Sequence, residues 1–175
     1  MALALENLDK STREHMLAEL DRDEQTSGEP YISLRLSPAG TEAYPQLLRD
    51  AIASGDDSTL ETALSAPGLF NAEEAYGPGK AKTRKMNVRA PQILAEGEFN
   101  RFFIRGLCAL LCTNDGGEVE VFRARESSWA RPESEALIGN RIDATELLED
   151  LRQHVGEAPS LLPDVNSGLS VRLPQ

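Results

Sequence analysis

The chain has 175 residues, a formal net charge of −11, 40% hydrophobic and 27% charged residues, and only 5% aromatics. That length supports one full core of mainly aliphatic side chains, and the composition excludes wholesale disorder. An acidic balance of this size favours solubility and works against non-specific nucleic-acid binding.

The charge is uneven along the chain. Residues 1–79 hold 5 basic and 15 acidic groups, residues 80–131 hold 10 and 6, and residues 132–175 hold 3 and 8. A cationic middle region (80–131) therefore interrupts an anionic protein.

The chain opens on a short apolar arm (1–10), flexible or docking. Asp9 or Ser11 caps a first helix over about 12–22, with Met16, Leu17 and Leu20 as its apolar stripe and the polar stretch 21–29 beyond it. Tyr31–Leu36 alternates as a strand, and Ser37–Gly40 turns the chain. A helix follows over about 42–54, stopped by Gly55, and a shorter one over about 58–65, broken by Pro67 and Gly68. Residues 76–89 read as an exposed basic loop, because Gly-Pro-Gly and interspersed Lys and Arg have little to bury.

The stretch at about 90–112 is the longest apolar-rich run and holds three of the 5 phenylalanines. On a helical wheel its apolar residues cover most of the circumference, which predicts a central buried helix with Pro91 in the first turn. Gly97 and Gly106 each cost about 1 kcal/mol against alanine there, so a close neighbour is expected at them. Cys108 and Cys112 lie four apart, a spacing that suits packing rather than a disulfide. After an Asn-Asp-Gly-Gly turn, residues 118–125 alternate as a strand, and a loop at 127–131 carries Trp129. Pro132 opens a short helix, Asp143 and Glu146 cap one over about 144–154, and an irregular tail segment (155–168) leads to a last strand at 169–173. The similarity of 33–38 to 170–174 is either chance or the mark of two neighbouring strands, chance being the favoured reading.

One polar seam marks the buried helix: Glu98, Arg101 and Arg105 share a narrow stripe. If the next strand runs back along the helix, Arg123 retreats roughly 26 Å, about seventeen helical positions, to the level of Glu98. Glu98, Arg101, Arg105, Arg123 and Arg125 then form an anion-binding cluster, because Arg is suited to bidentate phosphate or carboxylate recognition. Lys80, Lys82, Arg84 and Lys85 of the basic loop supply a second contact. The competing reading neutralises these arginines with Glu118, Glu120, Glu126, Glu133 or Glu135 as ordinary ion pairs.

No Walker, dinucleotide-binding, serine-hydrolase, zinc-protease or paired-cysteine pattern occurs, so no catalytic residue, cofactor or metal site is expected. Lacking a basic leader or an uninterrupted apolar span, the chain is expected to be cytoplasmic and without membrane contact. The fold class expected is α+β: a single domain with a small sheet packed with helices around the central helix. The function expected is non-enzymatic interaction or assembly, through the cationic middle, with an acidic partner or a phosphate backbone. A protein partner or self-association is favoured over a small molecule. The alternatives are an enzyme with an arginine clamp for a phosphorylated or nucleic-acid substrate, and an acidic mimic of nucleic acid.

Overall fold

Helix α1 (Lys10–Ser27) begins the computed structural model of the chain, which describes residues 2–126, 132–164 and 166–174. It is followed by α2 (Pro38–Ser54), α3 (Asp57–Leu64), β1 (Glu73–Tyr76), β2 (Lys82–Lys85), α4 (Ala90–Thr113), β3 (Glu118–Arg123), α5 (Pro132–Glu135), β4 (Arg141–Asp143), α6 (Ala144–Gln153) and β5 (Leu169–Arg172). The loop expected around Trp129 lies outside the described residues. The architecture is α+β, a single domain in which a two-stranded and a three-stranded sheet pack with helices.

Helix α4 is the core of the molecule. Every residue from Leu94 to Cys108 is buried, including the seam, and α1, α3, α6 and β5 pack around it. Both interior glycines meet close neighbours. A Cβ on Gly106 would lie 2.5 Å from Met16 Cγ and 2.8 Å from the Met16 backbone nitrogen, so α1 crosses against the bare backbone. At Gly97 the neighbour is the Asn166 amide, 2.9 Å from the same hypothetical atom.

Helix α1 runs five residues past the predicted end and stops at Gly28, whose φ of 86° is the left-handed cap conformation. The extension holds because its polar residues have partners: Asp23 bonds Arg105, and Asp21 and Glu24 pair with Arg49. Helix α2 starts at Pro38 rather than near 42, since the Ser37 side chain accepts the Gly40 N–H and proline suits the first turn.

In the three-stranded sheet, order β4-β3-β5, both pairings are antiparallel. Val119 and Val121 face the main core, whereas Phe122 and Ala124 form a smaller cluster with Leu3 on the other face. The N-terminal arm docks there: Ala4 N–H donates to the Ala124 carbonyl, and Leu3 N–H donates to the Asp57 carboxylate.

Three sequence expectations are corrected. Tyr31–Leu36 is not a strand: Ser33 makes a tight turn with Arg35 and Leu36, Leu34 is 82% exposed, and only Leu36 forms a bridge, to Phe70. The similar segment at 170–174 is therefore no neighbour of 33–38; its strand, β5, pairs with β3, whose other edge is taken by β4. The basic loop 76–89 is exposed but not irregular. Residues 73–85 form the β1–β2 hairpin, with Glu73 opposite Lys85 and Glu74 opposite Arg84.

Candidate functional site

Guanidinium groups expected to cluster are dispersed by the fold, and most are occupied. Arg105 points toward α1. It is fully buried, and its Nε and Nη2 donate to Glu19 Oε2 at 2.9 and 2.7 Å while Nη1 donates to Asp23 Oδ2 at 2.7 Å. Arg152 from α6 completes this network through Nη2 and Glu19 Oε1, 2.6 Å apart. Burial works to raise the Glu19 carboxyl, but its bonds to Arg152 and the charge of Arg105 outweigh it and hold the group below its usual value.

Arg101 turns the other way and clasps the tail. Its Nη1 donates to the His154 carbonyl at 2.7 Å and its Nη2 to the Glu157 carbonyl at 2.8 Å. On β3, Arg123 pairs with Glu135. Just beyond that strand, Arg125 lies 3.2 Å from Glu96 and donates to the Asn166 carbonyl. The return of the chain along α4 thus brings Arg125 to the turn that contains Glu98, although the residue it meets is Glu96.

Charge left unpaired is found on the hairpin. Lys80, Lys82 and Lys85 are exposed and make no ion pair among the described residues. Arg84 is tied to Glu74, which also holds Arg35 at 2.7 Å. Leu34 and Val88, the most exposed large apolar side chains among the described residues at 82% and 88%, lie at the base of this hairpin.

Between the hairpin, the turn at 31–35, the first half of α4 and the tail lies a cleft of about 420 Å³. Glu98 and Arg101 line its floor, and Lys80, Glu73 and Asp164 stand among its walls. Glu98 is the least satisfied of these groups. Burial raises its carboxyl above the usual range, and Arg101 offsets only part of that shift. Sequence reasoning singled out Glu98 and Arg101 but missed Asn166 and Glu74, because loop and hairpin positions have no periodic signal.

Free Cys108 is buried in the core, which pushes its thiol well up and removes it from nucleophilic chemistry. Among the described residues, no group of three or more His, Cys, Asp or Glu side chains could hold a metal ion, and no helix is long and apolar enough to cross a membrane. No protein-family model, curated protein or solved structure matches this chain.

Proposed function

We propose that this chain is a non-enzymatic interaction or assembly protein whose β1–β2 hairpin contacts an acidic protein surface, either a partner's or that of a second copy. The observation that carries this reading is the placement of the unpaired lysines. Lys80, Lys82 and Lys85 are all exposed on one hairpin, while Arg105, Arg101 and Arg123 are engaged with partners elsewhere in the fold. Leu34 and Val88 beside the hairpin add apolar area that a partner could cover. A net charge of −11 supports a protein surface over a phosphate backbone as the partner, and provides acidic area on a second copy.

Binding of a labelled polyglutamate peptide and of a labelled DNA duplex, read by fluorescence anisotropy, tests the assignment, with sedimentation velocity for self-association. Peptide binding or self-association is expected to weaken steeply from about 0.01 to about 0.15 M salt, as the screening length falls from about 30 to about 8 Å. It is expected to disappear in the Lys80→Glu/Lys82→Glu/Lys85→Glu variant. Salt-insensitive association, or an unaffected triple variant, overturns the electrostatic assignment. Preferential duplex binding, with nucleic acid co-purifying until a high-salt wash, would move the partner to a phosphate backbone.

A further inference from the structure

The floor of the cleft contains polar groups that nothing in the protein completes. The Glu98 side chain is 6% exposed, and its one ion-pair partner among the described residues is Arg101 Nε at 3.4 Å, with no hydrogen bond between them. Asn166 Oδ1, on the facing tail, is buried and also without a partner. The absence of a side chain at Gly97 lets the Asn166 amide lie against α4, which brings two hydrogen-bond acceptors to one floor. Burying acceptors without donors is costly, so a ligand that brings donors would be bound favourably.

The walls narrow the chemistry of that ligand. Leu34, Ile93, Leu94 and Ala158 supply an apolar lining. Five carboxylates and three cations border the cleft, so its formal balance is negative. An incoming anion would meet this field, and of Arg101 it would find only the Nε free, since both terminal nitrogens already bond carbonyls; Lys80 on the exposed wall is the other cation of the lining without an ion pair among the described residues. A protonated amine would find Glu98 and Asn166 Oδ1 together, with apolar wall for the methylenes behind it.

We propose that this cleft binds an alkylammonium group, its nitrogen donating to Glu98 and Asn166 Oδ1 and its methylene chain lying along Ile93, Leu94 and Leu34. The group belongs either to a free diamine or to the lysine side chain of another chain. Lys80 and Leu34 border both the cleft and the hairpin surface, whereas Lys82 and Lys85 do not line the cleft, so Lys82→Glu/Lys85→Glu tests the hairpin contact apart from this binding.

Titration of the full chain with cadaverine, with N-acetyl-lysine amide and with pentanoate, followed by backbone amide chemical shifts, tests the proposal. Saturable shifts confined to residues 93–101 and 156–166 are expected with at least one amine, and none with pentanoate. Tighter binding of cadaverine assigns the free diamine, and tighter binding of the lysine amide assigns a side chain. Glu98→Gln, which keeps the shape and removes the charge, should weaken the amine at least about tenfold. Should that variant fail to fold, Asn166→Leu removes the second acceptor from the tail side, and a loss of about threefold or more is expected. Equal binding to either folded variant, shifts scattered over exposed carboxylates, equal binding of pentanoate, or no amine binding overturns the proposal.

Discussion

Replacing Arg105 with methionine probes the strongest polar device in the core. The change removes the cation bonded to Glu19 and Asp23 while keeping an unbranched chain of similar reach. Removing one partner of a buried ion pair costs about 3–5 kcal/mol, because the remaining charge stays desolvated. Two features place the effect at the low end. Glu19 keeps Arg152, and the Asp23 side chain is 11% exposed and can turn toward water. A loss of about 3 kcal/mol is a large fraction of the 5–15 kcal/mol typical of a domain and lowers Tm by about 6–12 °C at this chain length. Thermal and urea denaturation measure it. The loss should persist in high salt, since the network is screened from solvent. It should also shrink in acid. The Glu19 carboxyl is held below its usual value in the fold, so the stability it contributes is present above the unfolded value, about 4.3, and disappears as pH falls through the folded one. A loss under about 1 kcal/mol, or one abolished by salt, would refute the buried-network reasoning.

Glu98→Gln should stabilise the protein at about pH 7, and the gain should vanish near pH 4. Its folded pKa is raised, so the burial penalty acts above the unfolded value and is relieved as pH falls through the folded one; a lower Tm at neutral pH would show that Arg101 dominates. Tyr44 is fully buried with an unpartnered hydroxyl, and Tyr44→Phe should raise stability by about 1 kcal/mol in urea melts, whereas a loss would reveal a partner for that oxygen. Gly106→Ala brings a methyl against the Met16 backbone, and calorimetry should show a net loss of about 1–3 kcal/mol despite the helix-propensity gain of about 1 kcal/mol. An unchanged Tm there would mean that α1 shifts freely.

Local chemistry in the sequence determined the main elements. Apolar residues around the whole wheel made α4 a buried helix, the Asn-Asp-Gly-Gly turn returned the chain as β3, and Asp143 capped α6 where its side chain can meet the first amides. Glu98 and Arg101 were legible as polar residues on a helix that has no solvent face. Tertiary structure decided what each met. Glu19, Asp23, Arg105 and Arg152 come from three elements spread over more than a hundred residues, and no local pattern pairs them. Tyr31–Leu36 alternates like a strand yet turns: the Leu36 N–H donates back to the Ser33 carbonyl, and only Leu36 bridges to another segment, at Phe70. The basic segment at 76–89 folds back largely as a hairpin in which Arg84 stands opposite Glu74 and pairs with it, a match that becomes visible only once the register is set. The cleft likewise depends on distant parts of the chain, since Glu98 lies on α4 and Asn166 on the tail. Periodicity and capping act within a few residues and can be read along the chain, whereas charge pairing and cavity shape depend on which distant segments the core brings together.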